Sequence, residues 1–251
     1  GTYKNDMRHG KFIRTFQNGK IESVKHYVNN EEQGTREHYY DTGELQHTAE
    51  MKDGLLHGKF NFYHRNGKLK STGKFENNEK TGMVTHWDDA GTKIIEGNWK
   101  NGLEDRLHTE WHPNGTKKTE TDWKNGQMHG QHTNWYENGQ MGYSGKMNMD
   151  RRSGLHRKWN ENGQQATEEN FDENGQVHGL QKEWHENGQL KSIKHMKYDP
   201  DKQKSVYHGL HEVWHDNGQK SYSGNWEENR PKGLHHSWYE SGNLEAVNNV
   251  E

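Results

Sequence analysis

"YENGQ" at residues 136–140 returns as "NENGQ" at 160–164, "HENGQ" at 185–189 and "HDNGQ" at 215–219, each with a Trp just upstream: Trp135, Trp159, Trp184 and Trp214. Taking the Gly of this motif as an anchor, equivalent positions run through the whole chain: Gly19, Gly43, Gly67, Gly91, Gly115, Gly139, Gly163, Gly188, Gly218 and Gly242. The steps are 24 residues except for one of 25 and one of 30. Nine residues before each anchor stands another Gly, with Arg106 the single exception. Four residues before it comes an aromatic: Tyr39, Tyr63, Trp87, Trp111, Trp135, Trp159, Trp184, Trp214 and Trp238, with only Thr15 breaking the column. Eight residues after it comes a second large apolar column: Tyr27, Met51, Phe75, Trp99, Trp123, Met147, Phe171, Met196, Trp226 and Val250. Every Trp falls in one of these two columns. A fixed period of this kind marks a repeat architecture.

The repeat overrides what composition alone suggests. Only 25% of the 251 residues are hydrophobic and mean hydropathy is −1.54, values that point toward disorder. The formal net charge is only −3, however, and 10 Trp, 11 Tyr and 6 Phe are more aromatics than disordered chains carry. The chain has no Cys, so disulfides and thiolate metal sites are excluded and the redox compartment stays open. No apolar run approaches the roughly 18 residues of a membrane span.

Each unit reads as a run, a turn at Glu137-Asn138-Gly139, and a second run. Asn-Gly between such runs signals a hairpin, and a type I′ turn, with positive φ at both central residues, is expected at Asn138-Gly139 and its copies. Period-2 alternation puts Trp135 and Thr133 on one face and His132, Asn134 and Tyr136 on the other. The column eight after the anchor shares its face with small residues such as Gly73, Gly97, Gly145 and Gly224, where a neighbouring ring or backbone comes close. All ten tryptophans (Trp87, Trp99, Trp111, Trp123, Trp135, Trp159, Trp184, Trp214, Trp226, Trp238) are expected to form one thin core ladder. The fold expected is all-β: an elongated solenoid of about ten 24-residue hairpins, a single array over 1–251 with an insertion at 197–208. About twenty strands at roughly 4.8 Å each would extend on the order of 90–100 Å.

The pattern at His129 to Met147 and His208 to Trp226, a His-Gly pair, a Trp, then Asn-Gly-Gln and a closing large apolar residue, resembles the variant MORN repeat of bacterial YwqK-like antitoxin proteins. The resemblance covers all ten units. It implies a hairpin solenoid that binds proteins, and for some members an antitoxin or immunity role against a toxin. Arg106, Thr15 and Thr42 depart from the pattern. Phosphoinositide binding attributed to ordinary MORN repeats does not carry over.

Chemistry-bearing residues follow the period too. Five of the 20 His precede the opening Gly (His9, His57, His129, His178, His208), and five sit two after it or its substitute (His108, His132, His156, His211, His235). Copies in adjacent hairpins lie roughly 9–10 Å apart, too far for one column to hold a metal with ligand nitrogens about 2.0–2.1 Å from its centre. These His are expected in turns and on a solvated face. No nucleophile elbow, phosphate loop or metal-protease spacing is present, and acids at every turn read as turn chemistry, so no enzyme, cofactor or metal is expected. With 34 Lys and Arg against 37 Asp and Glu, no basic stripe for nucleic acid stands out.

The stretch "KYDPDKQKSVYH" at 197–208 interrupts the rhythm, as a surface loop that is either a tolerated insertion or part of a binding face. Neither end shows a capping repeat, which suggests a segment of a longer protein or ends that dock onto other molecules. The reading is a non-enzymatic protein-binding scaffold whose partner is another protein, a toxin in the specific version. Candidate partner-binding residues are His132, Tyr136, His156, His211, His235, Tyr198 and Tyr207. The other classes are an end-to-end filament component and a cell-wall or glycan-binding module. Location would be cytoplasmic for an antitoxin, and the cell envelope or outside for a structural protein.

Overall fold

Two kinds of turn carry this chain back and forth. The computed structural model describes residues 1–251, with 22 strands and no helix. At Asn29-Asn30, Asp53-Gly54, Asn77-Asn78, Asn101-Gly102, Asn125-Gly126, Met149-Asp150 and Glu228-Asn229 both central residues have φ between 48° and 77°. These are the type I′ turns, and they lie in the short polar connectors between units. The Asn-Gly-Gln motif makes a different turn. Gly139 N donates to Tyr136 O (2.9 Å) and Tyr136 N to Gln140 O (2.8 Å), enclosing three residues of which only Gly139 has positive φ (82°). This is a type I turn closed by a left-handed Gly. The expected type I′ geometry at Asn138-Gly139 is therefore corrected. Asn138 needs no positive φ because it acts through its side chain, with Oδ1 accepting Gln140 N at 2.9 Å.

Contacts divide the chain into two units, residues 1–117 with 123–127 and residues 118–122 with 128–251. The first holds β1 (Thr2–Lys4), β2 (Met7–Thr15), β3 (Ile21–Val28), the short β4 (Glu31–Glu32), β5 (Gly34–Tyr39), β6 (Leu45–Lys52), β7 (Leu55–Tyr63), β8 (Leu69–Glu76), β9 (Glu79–Trp87), β10 (Lys93–Lys100) and β11 (Leu103–Trp111). Strand β12 (Lys117–Lys124) has residues in both units. The second holds β13 (Gln127–Trp135) but for its first residue, β14 (Met141–Asn148), β15 (Arg151–Trp159), β16 (Gln165–Phe171), β17 (Gly179–Trp184), β18 (Leu190–Asp199), β19 (Lys204–Trp214), β20 (Lys220–Glu227), β21 (Arg230–Trp238) and β22 (Leu244–Val250). Within each unit consecutive strands pair antiparallel, as a hairpin meander, except that β3 pairs with both β4 and β5. The repeated hairpin architecture is thus as the period predicts.

Register decides which face is the core. Across β13 and β14, Gly130 faces Met147, His132 faces Gly145 and Asn134 faces Tyr143, but Trp135 faces Met141. The extra residue is a β-bulge at Gly142, and it reverses side-chain parity. Met141 therefore joins Trp135 and Thr133, while Met147 joins His132. The same shift beside the aromatic recurs in other hairpins. The single expected Trp ladder is consequently two. Trp99, Trp123 and Trp226 stand on the face of the histidines, and Trp87, Trp111, Trp135, Trp159, Trp184, Trp214 and Trp238 on the other.

The core lies on the histidine face and is built by alternating large and small residues along the hydrogen-bonding direction. In the first unit Phe60 and Val84 close over Gly73, where an added Cβ would meet both at 2.8 Å. Ala49, Phe60 and Val84 are buried there, with Leu56, Phe75 and Trp99 packed against them. In the second unit the same positions turn polar. His156 lies over Gly145 and His235 over Gly224, and His156 is only 1% exposed. Close ring approach to these Gly is what the sequence predicts. Cations cover some of the outer rings: Arg8 over Tyr27 (4.2 Å), Lys80 over Trp99 (4.4 Å) and Arg152 over Phe171 (5.3 Å). A core of rungs one side chain wide, capped by alkyl stems, needs few apolar residues.

Of residues 197–208, the surface loop expected from sequence, only 200–203 form a turn; 197–199 and 204–208 are strand. They extend the β18–β19 hairpin, with Met196 facing Tyr207, Lys197 facing Val206, Tyr198 facing Ser205 and Asp199 facing Lys204. Val206 is fully buried. The 25-residue step also has a local cause: "DENGQ" at 172–176 is a further copy of the three-residue turn, with Asp172 N donating to Gln176 O.

Candidate interaction surface

The histidines expected on a solvated face belong to the core, because the residue seven before the anchor faces the small column across the hairpin. His156 Nε2 contacts Lys146 O at 2.9 Å. A carbonyl can only accept, so Nε2 carries the proton and Nδ1 accepts the Tyr143 hydroxyl. His235 takes the opposite tautomer: Lys232 N donates to its Nε2 (3.2 Å), so Nδ1 donates to the Tyr222 oxygen at 2.6 Å. His132 Nδ1 meets Thr121 Oγ1 at 2.8 Å, and His211 stacks on Tyr207 with centroids 5.2 Å apart. Burial holds His156 and His211 below the ordinary histidine value, and nearby Arg152 and Lys194 push the same way.

Tyr136 is a fastener between repeats. Its hydroxyl donates to Trp159 O at 2.8 Å, as Tyr40 does to Tyr63 O (2.8 Å). His64, His185 and His215 fill the same position and reach Trp87 O, Trp214 O and Trp238 O, each at 2.9 Å. The neighbouring Asn adds a second tie: Asn138 Nδ2 donates to Glu161 O at 2.7 Å, Asn66 to Asp89 O at 2.7 Å and Asn217 to Glu240 O at 2.8 Å. The sequence reading missed this set; its signal was that Tyr and His share one column three residues before the anchor. The opposite edge is tied by the type I′ turns. Asn78 N donates to Leu56 O (2.9 Å) while Leu56 N donates to Asn78 Oδ1 (2.8 Å), and Asp150 and Met128 repeat the pair.

The structure brings some of the candidate residues together. His132 and Tyr136 line one groove of about 480 Å³ with Asn134, Tyr143 and Arg152. Tyr207 and His211 stack beside Trp226. Tyr198 sits half-buried on the extended hairpin, and His235 is buried beside Trp226 and Tyr222. No three metal-ligating side chains converge anywhere.

The face opposite the core has no second layer of structure. It carries the half-buried aromatics Trp87 and Trp111 in the first unit and Trp135, Trp159, Trp184, Trp214 and Trp238 in the second. Four residues before each aromatic, on the same face by period-2 alternation, stands a residue that is often a large aliphatic. Met83 and Leu107 in the first unit and Leu210 and Leu234 in the second are exposed, Leu234 by 56%. Lys93 lies over Trp111 and Lys220 over Trp214. No helix is long and apolar enough to cross a membrane.

Three segments, residues 32–53, 56–77 and 177–198, match the model of the MORN repeat variant family. No curated protein matches the chain. Among solved structures, one titled "Crystal Structure of TcdB2-TccC3-Cdc42" is similar at 10% identity over 89% of this chain, with a TM-score of 0.18. The chain spans 16% of that protein's length.

Proposed function

We propose that this chain is a non-enzymatic scaffold that binds another protein through the face opposite its core. The observation that carries this reading is the aliphatic column beside the Trp column, exposed at Leu210 and Leu234 in successive repeats. A single exposed Leu is ordinary, but the same position exposed in two successive hairpins, beside Trp214 and Trp238, makes an apolar patch of the kind that marks an interaction site. Trp contributes most per residue at such surfaces, and here the rings are held by a rigid ladder and lose little freedom on binding. The MORN-variant segments are consistent with a binding role. In its specific form, which rests on resemblance to YwqK-like proteins, the partner is a toxin that the array neutralises, in the cytoplasm.

Affinity capture with the intact chain and with the double variant Leu210→Asp, Leu234→Asp tests this. One protein should bind the parent in a defined ratio, with affinity for the variant lower by on the order of tenfold or more and an unchanged circular dichroism spectrum. Equal binding to both would move the site elsewhere. Retention only on glycan resin, or fibre formation without a partner, would replace the reading by a carbohydrate-binding or structural role.

A further inference from the structure

The chain contains ten Asn-Gly pairs, the dipeptide in which a backbone nitrogen most readily attacks the preceding side-chain amide, because Gly places no side chain in the way. The folded array treats these pairs unequally. At Asn18, Asn66, Asn138, Asn187 and Asn217 the side chain is held at both ends: Oδ1 accepts the N–H two residues on, and Nδ2 donates to a carbonyl of the following repeat. Asn162 closes both bonds on Gln164, and Asn114 Oδ1 is held by Thr116. Asn101 and Asn125 differ. They open type I′ turns with φ of 50° and 51°, they are exposed, and their side-chain amides make no hydrogen bond. Asn174, exposed in the extra turn at 172–176, has a free side chain as well, because there Asp172 Oδ1 takes the Gln176 N–H instead.

We infer that Asn101, Asn125 and Asn174 are sites of spontaneous deamidation and isoaspartate formation, while Asn18, Asn66, Asn138, Asn187 and Asn217 are protected by the repeat-to-repeat clamp. The Gly nitrogen attacks Asn Cγ, the new C–N bond closes a succinimide, and the Cγ–Nδ2 bond breaks. The amide proton leaves with the nitrogen as ammonia, and water opens the ring at either carbonyl to Asp or isoaspartate. No oxidant, cofactor or enzyme is required. A clamped side chain must break two bonds before Cγ can swing toward the Gly nitrogen; a free one need not. The product matters to the array. Gly102 N donates to Lys80 O (3.0 Å) and Gly126 N to Glu104 O (2.9 Å), so an isoaspartate, which adds a backbone carbon to a two-residue turn, displaces a donor that ties adjacent repeats.

The intact protein is incubated at mildly alkaline pH, and peptide mass spectrometry follows amide-to-acid conversion at each Asn-Gly pair. A parallel sample in concentrated guanidinium supplies each site's unfolded rate. In the folded protein Asn101, Asn125 and Asn174 should react faster than Asn66, Asn138 and Asn217 by on the order of tenfold or more, and this spread should collapse on unfolding. Equal folded-state rates for the two sets overturn the inference. So does a spread that survives in guanidinium, since it would then come from local sequence and not from the clamp.

Discussion

Arg106 stands where every other repeat has Gly, and it adopts the same left-handed conformation, φ 63° against 67° to 119° at its nine counterparts. A left-handed L-residue costs roughly 1–2 kcal/mol. Its contact with Asp105, at 3.8 Å and with the Arg side chain 81% exposed, returns little of that. Arg106→Gly is therefore expected to stabilise the chain by about 1 kcal/mol, less the entropy Gly adds to the unfolded state. Thermal unfolding should show a rise of roughly 2–4 °C per kcal/mol for a chain this long. A fall in melting temperature would show that the guanidinium holds something that outweighs the strain, and would mark Arg106 as a functional exception.

At the scale of the turn, each hairpin reaches its neighbour through side chains that look solvent-facing in sequence. Tyr136→Phe keeps the ring and removes only the donor to Trp159 O, so a loss of about 0.5–1.5 kcal/mol is expected in chemical denaturation. Tyr239 occupies the equivalent column position but is exposed with an unbonded hydroxyl, and Tyr239→Phe should change little. If the two variants behave alike, the hydroxyl tie contributes nothing. This element also shows where sequence reasoning stopped. The hairpins were legible because the 24-residue period and the Asn-Gly pairs are local signals. The turn type was not, because Asn-Gly suits both a two-residue type I′ turn and a three-residue turn, and only the offset between paired strands separates them. The bulge at Gly142 carries the same lesson, since one unpaired residue moved the Trp135 column off the core face and put His132 and its copies on it. Face assignment explains the rest: the candidate histidines were read from the repeat pattern and lie on the core face, while the exposure of Leu210 and Leu234 could be read only once the faces were assigned.

For the chain as a whole, a polar core carries a consequence that an aliphatic one lacks. His47, stacked between His38 (4.5 Å) and Phe62 (5.0 Å), is pushed down to about 4 by burial, with the charges of His38 and Arg36 adding to it. His38, His86, His156 and His211 are lowered as well, burial being the first cause each time. A histidine whose folded-state value lies below the 6.5 of the unfolded chain is neutral in both states above that pH and carries no penalty there. As pH falls below 6.5 the unfolded chain takes up protons that the fold refuses, so stability drops until the folded-state value is reached. Burial raises Glu32 and Glu168, but hydrogen bonds and charge from Arg36, and from Arg157 and Lys182, leave them lowered on balance; Glu183 is lowered by Lys194, and all three act in the same direction from about their ordinary 4.5 downward. The expected melting temperature is level above pH 7 and declines between pH 6.5 and about 4, before most carboxylates titrate. His47→Phe retains a stacked ring and removes the lowest of these titrations, so its curve should fall less steeply over that window. A parent curve that stays flat to pH 5, or a variant curve parallel to the parent's, would mean that the buried rings accept protons within the fold and that the histidine rungs do not set the stability of the array.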